Sequence, residues 1–453
     1  MVTLGLEKFP EYWGAYKYPK LNLKKTISAF LRYRNAVAHG ADISNEEVII
    51  QDVYSRYRSL VRDLMYGIHD RFSDGISNKS YKKTRYSINY FRKLLFCMDS
   101  KVILVSPAPT SVGGIATWTS EFLKALPKYD MGVILVDTSV IGDRSKTNDS
   151  KASAFIEIKR CCRIWGNTLF CLIKEQPQLM HLNTSCSRRG IYRDFLCAVF
   201  AKMFGKPIVL HCHCNVNDQL GNDKYAVSCF HKLCNLCSRV LVLNNSSKEY
   251  VDGLSNTETA IMPNFISANF ISHGKIINNS IKRIVYVGQV RKSKGIDSII
   301  EVAKNNKGIE FDLVGPLTSE YDEAALSSIE NIVLHGAQNK EYIKNILDNA
   351  DLFLFPTKSE GFSLALLEAM ARGLPVITTD VGANKDMIED KGGVIVPINN
   401  SNAIDTAIQR MADKNIREQM SKFNVEKVKR NYTIDIVMQR LTDLYKLIID
   451  KRK

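Results

Sequence analysis

The chain has 453 residues, of which 45% are hydrophobic and 24% are charged, a composition typical of globular proteins that argues against wholesale disorder. At roughly 150 residues per domain, this length predicts about three domains. The formal net charge of +15 predicts an anionic partner, a requirement that a nucleotide, a lipid surface or a nucleic acid would meet.

The sequence carries no pattern of a secretory signal or a membrane-spanning helix. Residues Met1–Gly14 include three charged side chains and lack the apolar core of a signal peptide. The richest apolar stretch, Cys161–Ile173, is interrupted by Arg163 and Asn167. The 11 cysteines are odd in number and widely spread. We therefore expect a soluble, cytoplasmic chain with reduced thiols, whose membrane contacts are confined to the surface.

One cluster has the composition of a zinc site: His211-Cys212-His213-Cys214, followed by Cys234 and Cys237. Residues 207–214, however, have the pattern of a buried strand, in which alternation separates the two histidines from the two cysteines. The later cysteines lie three apart on a predicted helix, where small apolar residues usually pack. We therefore interpret these residues as packing residues and not as metal ligands.

Residues 1–97 differ from the rest of the chain because they show helical patterns, many tyrosines and no alternation of strands and helices. Six cations and no acid lie within Lys79–Lys93: Lys79, Lys82, Lys83, Arg85, Arg92 and Lys93. Three roles fit this segment. The first is a solvated basic face on a helix that docks onto the next domain, the second is an interfacial helix that meets anionic lipid headgroups, and the third is a nucleic-acid contact.

From Lys101 onward, short apolar runs alternate with helical patterns. The predicted strands of the first series are 101–106, 131–137, 179–182, 207–213 and 239–243. Gly113-Gly114 opens a predicted helix after the first strand. After a polar connection over 271–281, a second series of strands follows at 283–288, 311–314, 332–335, 352–355, 375–378 and 393–396. This rhythm predicts two successive α/β domains with parallel sheets and an active site in the cleft between them.

The strongest local motif joins a strand to a helix at Ser359–Met370. Glu360 lies at the mouth of the loop, and Gly361 permits close approach of a ligand to the backbone. We expect free helical N–H groups from about Gly361 to Leu364, which favour phosphate. Glu368 follows eight residues after Glu360 and adds a second acceptor for hydroxyl groups. This arrangement suits a nucleotide sugar, although two glutamates on a solvated helix would give the same pattern.

A second motif, Val287–Gly295, follows the first strand of the second series. It contains three cations: Arg291, Lys292 and Lys294. Cations in a loop after a strand can neutralise a departing diphosphate. For each of these cations taken alone, the alternative interpretation is a solvated position in a basic loop.

Together these motifs resemble glycosyltransferase family 4, whose members are retaining enzymes of the GT-B fold with a glutamate-x7-glutamate signature. The resemblance covers roughly residues 101–450. Its other motifs, in order, are Gly113-Gly114-Ile115, His213 at the end of a strand, Pro263-Asn264, the loop Val287–Gly295, and Asp380-Val381-Gly382. Each motif is weak alone, and their shared order and spacing make the resemblance specific.

The resemblance assigns roles in the second domain. Glu360 would contact hydroxyls of the transferred sugar, and Glu368 would bind the ribose diol. The backbone of 361–363 would line the sugar and the diphosphate. Lys294 would stabilise the diphosphate as it leaves.

In the first domain, the resemblance implies that His213 faces the donor sugar. Gly113 and Gly114 would let this domain close on the phosphates and the acceptor. The predicted catalytic residues are therefore Glu360, His213, Lys294 and Arg291, and the predicted donor-binding residues are Gly113, Gly114, Gly288, Gly361, Phe362, Ser363, Leu364 and Glu368.

The sequence departs from the family pattern at three positions. Gln289 stands where the family usually has arginine, and Arg291 could supply that charge. Asp386 stands where the family often has glutamate. His211 is additional, and we interpret it as a strand residue.

The residue patterns and the resemblance together predict the domain organisation. Residues 1–97 would form a helical basic extension. Residues 98–264 would form a Rossmann-like acceptor-side domain, completed by a C-terminal helix at 433–453. Residues 281–432 would form a Rossmann-like domain that binds the nucleotide sugar.

We therefore expect a retaining, hexosyl-type glycosyltransferase that uses UDP-, GDP- or another nucleoside diphosphate sugar. The basic segment 79–93 favours a lipid-linked acceptor in envelope polysaccharide assembly, at the inner face of the plasma membrane. No Asp-x-Asp pair lies near the loops, so we expect no metal requirement. The alternatives are an inactive scaffold, which Gln289 favours, and a nucleic-acid or membrane binder suggested only by charge.

Overall fold

The computed structural model describes residues 101–111, 113–129, 131–139, 154–272 and 274–451. The predictions for the extension 1–97, including its basic segment 79–93, lie outside these residues. No helix in the described ranges is long and apolar enough to cross a membrane.

The first half of the described chain is a parallel six-stranded sheet covered by helices. Its strands are β1 (Lys101–Ser106), β2 (Gly132–Asp137), β3 (Leu179–Thr184), β4 (Ile208–Cys212), β5 (Arg239–Val242) and β6 (Thr259–Ile261), in the spatial order β2-β1-β3-β4-β5-β6. Its helices are α1 (Gly114–Ala125), α2 (Ala154–Glu175), α3 (Arg188–Met203), α4 (Val216–Leu220), α5 (Lys224–Leu236) and α6 (Asn245–Leu254). Helices cover both faces of such sheets, and β3, β4 and β5 are buried along their whole length.

The second half repeats this architecture. Its strands are β7 (Arg283–Val287), β8 (Glu310–Val314), β9 (Ile332–Gly336), β10 (Leu352–Phe355), β11 (Val376–Thr379) and β12 (Gly393–Val396), in the order β12-β11-β10-β7-β8-β9. Its helices are α7 (Ile296–Asn305), α8 (Glu323–Ser327), α9 (Lys340–Asn349), α10 (Leu364–Ala371), α11 (Asn384–Ile388), α12 (Ser401–Arg410) and α13 (Lys414–Asn431). All the strand pairings of this sheet are parallel.

The chain passes between the halves twice, and the two crossings pair with each other. The amide of Ile266 donates to the carbonyl of Tyr432 at 2.9 Å, and the amide of Ile434 donates to the carbonyl of Ile266 at 2.9 Å. The last helix, α14 (Ile434–Asp450), then returns to the first sheet and buries Val437 and Leu441 in its core. Both halves belong to one compact unit.

The expected fold class, two Rossmann-like parallel sheets, is confirmed. Most strand boundaries agree within one or two residues, but β6 was not predicted because its three residues form a short edge strand. The strand order places a topological switch between β1 and β3 in the first sheet and between β7 and β10 in the second. Ligands of open parallel sheets bind at such points, beyond the carboxyl ends of the strands.

Candidate active site

Two loops meet at the switch point of the second sheet. The first follows β7 and carries Lys294, and the second follows β10 and carries Glu360. The Lys294 Nζ forms an ion pair with the Glu360 carboxylate and donates to the carbonyl of Ser359 at 3.3 Å. Both side chains of this pair are about one-fifth exposed, so the pair is accessible to a ligand and partly shielded from water. The structure therefore brings together two predicted catalytic residues.

Close backbone contacts hold these loops in place. The amide of Lys358 donates to the carbonyl of Ser293 at 2.9 Å. Gly295 has a φ of +77°, and a Cβ there would lie 2.0 Å from the carbonyl oxygen of Pro356, so glycine is required by both conformation and space. Gly382, with a φ of +58°, packs in the same way on the backbone of Glu360. The motifs around Gly295, Glu360 and Gly382 lie far apart in the sequence, and these contacts thus pack them against one another.

Helix α10 begins later than expected. The sequence predicted free amides from about Gly361, whereas the helix starts at Leu364. Ser363 is its N-cap, and the Ser363 Oγ accepts from the amide of Leu366 at 3.1 Å. The remaining amides without helical partners are therefore those of Ser363, Leu364 and Ala365, and Gly361 and Phe362 belong to the preceding loop. The helix end can still hold phosphate, through a smaller set of donors.

Glu368 lies in the middle of α10. Burial raises the pKa of its carboxyl group to about 7, and the nearby positive charge of Lys340 opposes this shift. The side chain has no ion pair among the described residues. A carboxyl group that titrates near neutrality suits a role in binding and not in simple charge pairing.

Arg291 and Gly288 lie in the loop after β7. The Arg291 Nε is buried and has no hydrogen-bond partner in the described part of the chain. The hydroxyl of Tyr286 donates to the carbonyl of Gln289 at 2.8 Å, and a Cβ at Gly288 would lie 2.6 Å from that hydroxyl oxygen. The neutral Gln289 therefore contributes its backbone to the shape of the loop, and the nearby guanidinium retains a free donor.

His213 follows β4 in the first half, beside a buried polar network. Its Nε2 lies 3.0 Å from the Oδ1 of Asn183, and the Nε2 of His181 lies 2.9 Å from the same oxygen. The Nε2 atoms of His213 and His181 must both donate, because an amide oxygen only accepts. Burial lowers the pKa of His213 to about 3, so its ring is neutral at physiological pH and its Nδ1 remains an acceptor.

The network continues to the last helix. The other ring nitrogen of His181 bonds to the hydroxyl of Tyr445 on α14. The predicted extra histidine, His211, packs against the His213 ring at a centroid distance of 4.1 Å and is fully buried. Burial also lowers the pKa of His211 well below its usual value. The interpretation of His211 as a strand residue agrees with this position in β4.

The two halves touch at Gly361. A Cβ at this position would lie 2.8 Å from the Cα of Cys214, the residue after His213. The Nδ2 of Asn244 donates to the carbonyl of Gly361 at 3.1 Å. Beside this contact, the Asp386 carboxylate accepts from the amide and the side chain of Asn245, at 3.0 and 2.7 Å. His213 is therefore placed beside the loop that carries Glu360.

Gly113 and Gly114 lie elsewhere, at the start of α1 near the switch point of the first sheet. They line a cavity of about 610 Å³ at the carboxyl ends of β1, β2 and β3. These glycines therefore belong to the first sheet, whereas the ion pair belongs to the second.

The histidine and cysteine cluster contributes to packing. Cys212, Cys234 and Cys237 lie in the apolar core of the first half, and all ten cysteines of the described ranges are free thiols. No group of three or more His, Cys, Asp or Glu residues in these ranges is placed to hold a metal ion.

Sequence reasoning missed three residues that shape the site: Asn183, Asn244 and Tyr286. All three side chains are buried, and the Tyr286 hydroxyl donates to the carbonyl of Gln289 in the loop after β7. Asn183 and Asn244 each lie at the carboxyl end of a strand, which is a signal that could have identified them.

Comparison with known proteins agrees with this geometry. Residues 269–427 match the family described as Glycosyl transferases group 1. A capsular polysaccharide biosynthesis glycosyltransferase of Staphylococcus aureus is 24% identical over 361 residues, which is 72% of this chain and 91% of that protein. The UDP-Gal:alpha-D-GlcNAc-diphosphoundecaprenol alpha-1,3-galactosyltransferase of Escherichia coli is 26% identical over 308 residues, which is 60% of this chain and 76% of that protein.

Among solved structures, sucrose-phosphate synthase of Thermosynechococcus elongatus superposes on this chain with a TM-score of 0.64 at 16% identity. The superposition covers 78% of this chain and 100% of the synthase chain. This likeness concerns the fold, which is GT-B-like. The match to a group 1 glycosyltransferase domain thus concerns residues 269–427, and the expectation of a glycosyltransferase is confirmed.

Proposed function

We propose that this glycosyltransferase transfers a sugar from a nucleoside diphosphate sugar to a lipid-linked saccharide during assembly of a cell-envelope polysaccharide, with retention at the anomeric carbon. The observation that carries the proposal is the Lys294–Glu360 pair at the switch point of the second sheet, beside the helix start at Leu364. Relatives named for capsular polysaccharide synthesis and for a diphosphoundecaprenol-linked substrate support the acceptor class.

In this proposal the donor diphosphate lies against α10 and the loop after β7. Lys294 and the free donor of Arg291 neutralise the negative charge that grows on the diphosphate as its bond to the anomeric carbon breaks. Glu360 contacts the hydroxyls of the sugar, and Glu368 accepts from the ribose hydroxyls. Arg291 thereby supplies the charge that Gln289 lacks.

The transfer breaks the bond between the anomeric carbon and a diphosphate oxygen and forms a bond between that carbon and an acceptor oxygen. The bonding electrons pass to the leaving diphosphate oxygen, and the acceptor hydroxyl oxygen forms the new bond on the same face of the sugar. The hydroxyl proton passes to an oxygen of the departing diphosphate, which lies on that face. The neutral ring of His213 accepts a hydrogen bond from the sugar and carries no charge into the site. Contact of the two halves near Gly361 excludes water that would hydrolyse the donor.

A thermal-shift screen of nucleoside diphosphates and their sugars tests donor binding. One member should stabilise the protein, by about 2.7 kcal/mol at a concentration 100 times its Kd. Turnover with that donor should be lost in Glu360→Ala, while the exposed variant Glu301→Ala in the same half retains it. A protein that binds no donor, or that turns none over, would instead be an inactive scaffold.

We also propose that the reaction needs no metal ion, because cationic side chains and helix amides would bear the diphosphate charge. Turnover should then persist after exhaustive treatment with EDTA. Loss of activity that Mg²⁺ or Mn²⁺ restores would refute this part of the proposal.

The six cations of the segment 79–93 support attachment to an anionic membrane surface at the cytoplasmic side, at about 1 kcal/mol for each cation close to the surface. The full chain should co-sediment with vesicles containing phosphatidylglycerol and not with pure phosphatidylcholine. Replacement of the six cations by glutamine should abolish this binding and leave transfer to a soluble acceptor intact.

A further inference from the structure

A chain of buried hydrogen bonds connects helix α1 to His213. It passes through the hydroxyls of Thr119 and Ser106 and the side-chain amide of Asn183, and each of these three residues is at most 1% exposed. Ser106 ends β1, and Asn183 lies in the neighbouring strand β3. Polar groups buried this deeply satisfy one another, so the direction of each bond is fixed by what its partners can donate.

The direction is set at the carbonyl of Ile115 on α1. The Thr119 Oγ1 lies 2.8 Å from this carbonyl oxygen, which is four residues earlier in the helix, and of these two groups only the hydroxyl can donate. The same Oγ1 lies 2.6 Å from the Oγ of Ser106. Because the single hydroxyl proton of Thr119 is used on the carbonyl, Ser106 must donate to Thr119.

The orientation of the Asn183 amide follows from this assignment. The Ser106 Oγ lies 2.9 Å from the Asn183 Nδ2, and the proton of this hydroxyl is already directed at Thr119. Ser106 can therefore only accept from Asn183, which requires the amide NH₂ group to face it. The reverse orientation would place two oxygen lone pairs against each other in a buried position, at a cost in free energy.

The oxygen of the Asn183 amide consequently faces two histidines. It accepts from the Nε2 of His213 at 3.0 Å and from the Nε2 of His181 at 2.9 Å. Burial lowers the pKa of both rings to about 3, so each ring is neutral and carries one proton. Since that proton is on Nε2, the Nδ1 of each ring is an acceptor.

The two Nδ1 acceptors have different surroundings. The Nδ1 of His181 is occupied by the hydroxyl of Tyr445, and both of these residues are buried. His213 is only partly buried, and its Nδ1 has no partner among the described residues. The next residue, Cys214, packs against Gly361 in the loop that carries Glu360. This Nδ1 is therefore the group that His213 offers to a ligand in the site.

We propose that Thr119 is a positioning residue that acts on His213 through the buried chain. Its hydroxyl, anchored on the carbonyl of Ile115, holds His213 in the tautomer whose Nδ1 accepts a hydrogen bond. The transferred sugar is then recognised at this atom by a hydroxyl or an amide N–H, since only a donor can satisfy it. The inference rests on the proposed function, in which His213 faces the donor sugar.

The tautomer of His213 in the full chain provides the first test. Ring ¹⁵N chemical shifts, measured by NMR on protein labelled at histidine, distinguish a protonated nitrogen from a bare one. The signals of His213 are identified by their absence in His213→Gln. We expect a protonated Nε2 and a bare Nδ1 in the parent protein, and a proton on Nδ1 would overturn the inference.

Thr119→Val tests what sets this tautomer. The substitution keeps the shape of the side chain and removes its hydroxyl, so the Ser106 proton can turn toward Asn183 and the amide can rotate. We expect His213 with a protonated Nδ1 to become detectable, and kcat/KM for the nucleotide sugar to fall about fivefold to tenfold, the contribution of about one hydrogen bond. The Kd of the nucleoside diphosphate without its sugar should not change. Thr119→Ser, which keeps the hydroxyl, should show the parent tautomer and the parent rate.

Thr168→Val is the matched control. Thr168 on α2 is equally buried and donates to the carbonyl four residues earlier at 2.8 Å, but it has no bond to the chain that ends at His213. Equal loss of kcat/KM in the two valine variants would mean a general effect of the substitution and would overturn the inference. A Thr119→Val variant that keeps the parent tautomer or the parent kcat/KM would also overturn it. Failure of the proposed function differs, because then no nucleotide sugar binds or is turned over, whereas the tautomer of His213 is measured in the free protein.

Discussion

The carboxyl group of Glu368 should make donor binding depend on pH. Burial raises its pKa to about 7, so the free protein holds this group half protonated at neutral pH. The ribose hydroxyls that we assign to Glu368 donate best to the ionised carboxylate. Donor affinity should therefore increase as the pH rises through the neutral range.

The size of the effect follows from the ionised fraction. If only the ionised form binds, the apparent Kd is multiplied by about 11 at a pH one unit below the pKa and by about 1.1 at one unit above it. The affinity should thus change about tenfold between roughly pH 6 and pH 8. Glu368→Gln, which cannot ionise, should bind the donor weakly and with the same Kd across this range.

The same group should affect folding stability. Its folded pKa lies above the ordinary value of 4.5, so between these two values the folded chain keeps a proton that the unfolded chain releases. Stability contributed by the protonated form is therefore lost as the pH rises from about 4.5 to about 7. Relative to the parent, Glu368→Gln should gain stability over this window, by up to about 3 kcal/mol.

Calorimetric titration with the sugar-linked donor measures the pH dependence of donor affinity, because the diphosphate of this donor has no further proton to release in this range. Urea denaturation at several pH values measures the pH dependence of folding stability. Glu301→Gln, an exposed glutamate of α7, is the control and should change neither result. A parent Kd that is flat between pH 6 and pH 8, or a Glu368→Gln variant that keeps the pH dependence, would refute this assignment.

Three further substitutions test other parts of the site. Lys294→Met should lower kcat by about 10²- to 10³-fold with little change in folding stability, because it removes a charge that stabilises the leaving diphosphate; a steady-state assay showing normal kcat would argue against this role. Gly361→Ala should lower the melting temperature and the turnover, since its Cβ would lie 2.8 Å from a backbone carbon of the other half, whereas Gly253→Ala, with no atom within 4 Å, should be neutral. Tyr445→Phe should reduce the free energy of unfolding by about 1–3 kcal/mol in urea titrations, because it leaves a buried nitrogen of His181 without a partner. Tyr225→Phe at the surface should cause no such loss. Equal stability of the two variants would contradict the buried network.

The two α/β halves and the order of their motifs follow from the sequence alone. Short apolar runs at strand length, separated by helical periods, are local patterns that follow from backbone geometry and burial. The glycines and the glutamates of the second half could be identified in the same way, because strand-to-loop-to-helix transitions have local signals. The start of α10 was misplaced by three residues, since the Ser363 cap, and not the glycine, ends the loop.

The tertiary structure decided which of these residues meet. Lys294 and Glu360 are 66 positions apart and pair because the strand order makes β7 and β10 neighbours. His181 and Tyr445 are 264 positions apart and meet because the last helix returns to the first sheet. Arg160 and Arg193 belong to no sequence motif, yet they line one cavity because the helices that carry them cover the same sheet. Periodicity reports how each segment is buried, but the pairing of distant side chains depends on the order of strands in the sheets, which no local pattern encodes.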